Sequence, residues 1–256
     1  MFREWFRYRS LIKNLVYRDL KLKYRGSVLG ILWSLLRPLL LMGVYLVAFK
    51  YVVRITMDNY VVFLFVGLLP WSFFQGAVLS ATESITGNAS LIKKINFPRE
   101  TLPLASVLFH FIQLLLALSV FLPFLLLIGN IDLRWIHLGV FLLLFIHLLF
   151  TLGIALLLSA LTVSFKDIVH LTDLGLTLLF WVTPIIYPIN MVPEKYRFLV
   201  KMNPMAAFAI AYQEIMYRGN MPELMVCIII LIWTVSLFGL GYWVFKRFTP
   251  IFSELI

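Results

Sequence analysis

Charge is what this sequence has least of. Lys, Arg, Asp and Glu make up 13% of its 256 residues, while 62% are hydrophobic. A soluble domain carries about 25% charged and about 45–50% apolar residues. An ordinary soluble enzyme, a disordered tail and a fibrous repeat are therefore excluded. The deficit is also uneven. The stretches 28–49, 60–82, 101–131, 135–165, 174–193 and 224–245 share one charged residue, Arg37, and the rest of the chain holds the other 33 of 34. Cysteine is nearly missing too. Cys227 stands alone in the last apolar stretch, so no internal disulfide can form and a plain core role is the default.

Chemical motifs are equally scarce. There is no G-x-x-x-x-G-K-[ST] and no G-x-G-x-x-G, so the chain does not itself hold nucleotide phosphates. The four histidines, His110, His137, His147 and His170, lack zinc-site spacing, and no metal ligand set is expected. His170 and Asp173 read as a solvated loop rather than a catalytic pair. No Ser, Cys or paired-carboxylate arrangement marks a catalytic residue. None of the six apolar stretches contains Asp or Glu. Carboxylates there commonly carry proton relays, so a carboxylate-driven carrier is disfavoured. Cargo moved without a coupling group takes its energy from elsewhere.

What is present is length. Crossing about 30 Å of hydrocarbon takes about 20 helical residues, and runs this long and non-alternating point to helices rather than a barrel. The expected fold is all-α and integral to the membrane. Six transmembrane helices follow an amphipathic interface helix, with a short re-entrant hairpin between spans five and six. One transmembrane domain covers 1–256: interface helix 2–25, spans 28–54, 60–82, 101–129, 135–165, 170–188 and 223–246, a cytoplasmic loop 84–100, and an external hairpin 187–220.

Orientation rests on the first 27 residues, which hold eight of the 22 Lys and Arg. A basic cluster before the first span usually dominates topology, placing both termini in the cytoplasm. The other loops alone give no preference. This segment has no apolar core like that of a signal peptide, so no cleavage is expected. The net charge of +10 reflects topology and anionic lipid, not nucleic acid. At 100° per residue Arg3, Arg7, Arg18, Lys21 and Arg25 share one face. Trp5, Tyr8, Leu11, Ile12, Leu15, Val16, Leu20 and Leu22 cover the other. Such a helix lies in the headgroup layer, as a lipid anchor or as a mechanical element.

Four further features stand out. Gly26 and Gly30 have the spacing of a close helix contact or of a flexible joint. Arg37 sits before Pro38 in the first span. A cation at membrane depth costs about 2.5–3.5 kcal/mol, so it faces a partner helix, a wet pathway or, by snorkelling, the headgroups. In the loop 84–100, Leu91, Ile92 and Ile95 with Lys93 and Lys94 predict a short amphipathic helix stopped at Asn96-Phe97-Pro98. It is either ordinary loop packing or a docking surface. Thr183-Pro184 and Tyr187-Pro188 end span five, and 198–213 is too interrupted to cross. Irregular backbone at depth is tolerated inside protein or beside a watery cavity, which predicts an external cap over a pathway.

Arg18-Asp-Leu-Lys-Leu-Lys-Tyr-Arg-Gly-Ser-Val-Leu-Gly-Ile-Leu-Trp-Ser-Leu-Leu-Arg-Pro-Leu-Leu40 resembles the membrane subunits of type 2 ABC exporters, in particular the permeases for O-antigen polysaccharide and teichoic acid. Residues 91–99, 183–188 and 203–205 are similar to the same branch, and the likeness runs along essentially the whole chain. It implies a homodimer in the cytoplasmic (inner) membrane, paired with two copies of a cytoplasmic ABC ATPase and exporting a lipid-linked polysaccharide. No cofactor belongs to this chain; ATP and Mg²⁺ are used by the partner. The resemblance gives ATPase coupling to Leu91, Ile92, Lys93, Lys94, Phe97 and Arg99, and the external gate to the hairpin with Tyr187, Pro188 and Asn203. Trp33, Arg37, Tyr45, Trp71, Phe74 and Trp181 are channel candidates, against the aromatic belt found in any membrane protein. Two alternatives stay open: an exporter of small hydrophobic drugs, separable by genetic context, and a membrane transferase acting on lipid-linked sugars, which needs an indispensable Asp, Glu or His.

Overall fold

The computed structural model describes residues 2–26, 32–128 and 135–252, and every regular element among them is helical. Among the described residues, four helices are long and apolar enough to cross a membrane: Tyr60–Thr82, Thr101–Phe121, Trp135–Ser164 and Leu224–Ile251. Two shorter apolar helices, Pro38–Val52 and Ile168–Val182, accompany them.

In chain order, α1 (Phe2–Arg7) and α2 (Arg9–Tyr24) replace the single interface helix expected over 2–25. The break falls at Tyr8, whose φ of −96° and ψ of 19° leave the helical region. Helix α3 (Leu32–Tyr45) contains Pro38 and passes into a π-helical segment, Leu46–Val52. Helix α4 (Tyr60–Thr82) is apolar all round and mostly buried, as such a helix must be when its neighbours surround it. It packs against α3, α6, α7, α8 and α10. Helix α5 (Ala89–Lys94) is the short loop helix, and its chain turns extended at Ile95, three residues before Pro98. Helices α6 (Thr101–Ile128), α7 (Gly139–Ser164) and α8 (Ile168–Val182) follow. The hairpin holds α9 (Glu194–Met202) and α10 (Pro204–Tyr212) with its π-helical continuation Gln213–Arg218. Helix α11 (Leu224–Phe248) closes the bundle.

Two local details set the frame. Helices α7 and α11 meet backbone to backbone: a Cβ on Gly241 would collide with the Gly153 carbonyl oxygen, and one on Gly153 would lie 2.6 Å from the Phe238 nitrogen. Helix α8 has 15 residues and so rises about 22 Å, short of the roughly 30 Å of hydrocarbon. Beyond it Thr183–Ile186 is buried non-helical backbone. Two of its carbonyls are satisfied by side chains of other elements: Gln213 Nε2 donates to Pro184 O at 2.8 Å, and Tyr60 Oη donates to Ile186 O at 2.5 Å. That is the condition under which irregular backbone persists away from water.

Candidate functional site

The end of the bundle that carries residues 84–100 also carries α2 and the C-terminal turn. Ile12, Leu15 and Val16 of α2 are buried, and α2 packs against α6. Arg18 Nη1 donates to Asn88 Oδ1 at 2.9 Å, tying the basic face of α2 to the loop. Arg7, Lys21 and Arg25 are exposed, whereas the side chain of Arg3 lies outside the described part. Leu22, placed on the apolar face by periodicity, is also exposed.

The six loop residues separate into two groups. Ile92 and Phe97 are buried and hold the loop to the body, with Leu91 half-buried beside them. Arg99 Nη1 donates to the Thr249 carbonyl at 2.6 Å, a bond to the C-terminal turn. Lys93, Lys94, Ile95 and Asn96 form the exposed edge. Asn96 and Ile95 were not among the expected coupling residues; they follow the two lysines on a segment that Pro98 keeps extended.

Between α3, α4, α6 and α8 lies a cleft of about 630 Å³. Its apolar wall is Trp33, Pro38, Leu40, Leu41 and Val44 of α3, and its polar wall is Ser72, Gln75, His110 and Gln113, with Lys23 and Asp173 among its charged lining. Lys23 Nζ donates to Gln113 Oε1 at 3.1 Å and sits 5.2 Å from the Phe109 ring. Lys23 of α2 thus has a partner on α6. Gly76 admits the His110 ring, since a Cβ there would approach Nδ1 to 2.6 Å. Trp71 Nε1 donates to Gln75 Oε1 at 3.2 Å, orienting the amide from below. Ser72 with Gln75, and His110 with Gln113, are each three residues apart on one helix, so each pair shares a face. Uncharged polar pairs inside apolar stretches are the signal that charge counting passes over.

The opposite end is closed by the hairpin. Asn203 caps α10 through Oδ1, which accepts from Met205 N at 3.0 Å, and its Nδ2 donates to Thr183 Oγ1 at 3.2 Å. Pro204 follows at the first helical position, where its missing N–H costs nothing. Tyr187 Oη donates to Trp181 O at 3.0 Å, and Pro188 is buried. Tyr217 Oη donates to Asp58 O at 2.5 Å, while Lys201 and Glu223 pair at 2.6 Å. Helix α10 is buried along its length, and α9 has no buried residue. His147, not singled out by sequence, is fully buried beneath α10. Its ring stacks on Phe208 at 4.4 Å, and Nδ1 lies 3.4 Å from Tyr212 Oη.

The aromatic candidates divide likewise. Trp33 lines the cleft. Trp71 and Phe74 are buried inside the bundle, Phe74 stacked on Phe150 at 5.7 Å. Tyr45 packs against Phe180, Trp181 is exposed, and the side chain of Arg37 and all of Gly30 lie outside the described part.

The cleft joins polar side chains of α4 and α6 to an apolar wall from α3. Residues 10–217 match the family of ABC-2 type transporters. The chain belongs to that family. Its relatives include two O-antigen export system permease proteins RfbA. That of Klebsiella pneumoniae is 34% identical over 213 residues, covering 83% of this chain and 82% of its own length. That of Myxococcus xanthus is 35% identical over 245 residues, covering 91% and 93%. This ABC-2 chain is therefore a membrane transport subunit rather than an enzyme.

Proposed function

We propose that this ABC-2 chain is the channel-forming subunit of an ATP-driven exporter that moves a lipid-linked polysaccharide across the cytoplasmic membrane. The observation that carries the reading is the cleft: amide, imidazole and hydroxyl groups at membrane depth facing an apolar wall. Neutral donors and acceptors can exchange bonds with successive sugar hydroxyls, while Trp33 and the leucines of α3 offer surface for sugar C–H faces and an acyl carrier. The export names of the relatives agree with that chemistry.

In this reading α3 with its π-helical extension and α8 with Thr183–Pro188 are the first and fifth of six spans. Helices α9 and α10 are the external gate, with α10 the re-entrant member. The exposed apolar residues of α3 that line the cleft (Leu40, Leu41, Val44) and those of α8 (Leu171, Leu174, Leu178) suit two copies joined in a homodimer around one path. The loop and α2 face the cytoplasm with both termini, and the exposed edge Lys93–Asn96 receives one of two ABC ATPase chains. ATP and Mg²⁺ act there, in the partner.

Co-expression with an ABC ATPase from the same genome tests the pairing. The expected result is a complex of two copies of each chain whose ATPase rate exceeds that of the ATPase alone. A chain that neither co-purifies nor stimulates hydrolysis refutes the proposal.

A further inference from the structure

Helix α9 is the wrong way round for water. Two of its cations are turned to the protein: Arg197 Nε and Nη2 donate to Val192 O at 2.9 Å and Asn190 O at 3.0 Å, and Lys201 pairs with Glu223 at 2.6 Å. Its apolar side chains are turned away. Tyr196, Phe198, Leu199 and Met202 are all exposed, Leu199 at 64%. At 100° per residue these four spread over about 160° of one side, and Arg197 and Lys201 stand on the other. A single exposed apolar residue needs no explanation, but four on one side of a nine-residue helix do.

The surroundings of α9 say what covers this face. Its C-terminal end is bonded to α11, where Trp233 Nε1 donates to Met202 O at 3.1 Å. Trp233 stands nine residues, or about 13 Å, into α11, so this end of α9 lies beside a span at hydrocarbon depth. Helix α11 is the least buried of the four long apolar helices and exposes Met225, Ile228, Ile232 and Val235. In the first turn of α9, Lys195 is exposed, with Nζ 5.5 Å from the Tyr196 ring. A lysine beside a tyrosine suits the headgroup layer, where the ring sits at the boundary and the amine reaches outward. Met202 lies seven residues further, about 10 Å along the helix.

We infer that α9 docks on the lipid bilayer: acyl chains of the adjacent leaflet cover Phe198, Leu199 and Met202, and Lys195 meets the headgroup phosphates. A second copy of the chain has the faces of α3 and α8 in the reading above, whereas α9 packs on α10 and, by its end, on α11. The hairpin thus has two holds. Protein surrounds α10, and lipid carries α9. The inference goes beyond the export reading and holds whatever the cargo is.

The test places nitroxides on single cysteines of the full chain in nanodiscs of phosphatidylcholine and phosphatidylglycerol, with Cys227→Ser as background. Leu199→Cys and Met202→Cys report the apolar face, and Lys195→Cys its outer end. Oxygen concentrates in hydrocarbon, while a nickel chelate stays in water. Labels at Leu199 and Met202 are relaxed several-fold more by oxygen than by the chelate, and the ratio falls at Lys195. Chelate access at Leu199 and Met202 equal to that of oxygen puts the face in water and overturns the inference. Protection from both reagents puts protein over it, such as a second copy, and equally overturns it. An unchanged Tm shows that a label leaves the fold intact, and Phe198→Cys replaces any position that fails this check. The measurement needs no cargo, ATP or ATPase, so a failure of export leaves it standing, and its failure leaves the export reading standing.

Discussion

Gly153 and Gly241 let two helices touch where no side chain fits. A methyl group at Gly241 must displace the Gly153 backbone, and backbone cannot swing aside as a flexible side chain does. Gly241→Ala is expected to cost about 1–3 kcal/mol, the range for overpacking a filled site, read as a lower Tm in detergent. Gly239→Ala on the same helix meets nothing within 4 Å and leaves Tm unchanged. Neither glycine is legible in the sequence as a contact, because the pair belongs to two distant helices. The Gly26–Gly30 spacing, by contrast, is visible in one segment. The cleft makes a second residue-scale claim. Gln75→Leu with Gln113→Leu removes two amides and should cut polysaccharide export at least about tenfold, with each lost hydrogen-bonding group worth roughly 1 kcal/mol. Membrane insertion and ATPase binding stay intact. Normal export by this variant contradicts the polar-path reading.

The loop 84–100 shows how an element divides labour. Its period predicts a short amphipathic helix, and α5 is that helix; what the period does not reveal is which residues stay outward. Ile92 and Phe97 are buried and Lys93 to Asn96 are not, so substitutions should sort in two ways. Lys93→Glu with Lys94→Glu reverses the edge charge, and ATPase recovery in pull-downs falls while Tm holds. Ile92→Ala lowers Tm by destabilising the loop about 2–4 kcal/mol, since large-to-small changes add a cavity term. The reverse pattern, with docking lost through Ile92 and stability through the lysines, contradicts the division. Helix α2 carries the same lesson. Its buried face was readable from Ile12, Leu15 and Val16, while the break at Tyr8 and the bond from Lys23 to Gln113 of α6 were not.

For the whole molecule, composition alone located the four long apolar helices, because a charge at membrane depth is costly. The four long spans begin at the same residues as four of the apolar stretches. The short helix α8 and the buried Thr183–Ile186 are less legible: local hydropathy sees an apolar run, and only Gln213 and Tyr60 from elsewhere make a non-helical backbone tenable. Charges and prolines mark the loop and the hairpin in the sequence, while Ser72, Gln75, His110 and Gln113 of the cleft carry no such mark. The central claim is that these parts form one ATP-driven path for a lipid-linked glycan. Vesicles containing this chain and its ATPase, loaded with fluorescent lipid-linked polysaccharide, test it directly. With ATP, glycan should pass to the opposite leaflet, becoming accessible to a glycosidase on that side, and Cys cross-links between Tyr187 and Asn203 should stop it. Transfer without ATP, or no transfer with an active ATPase complex, contradicts the account.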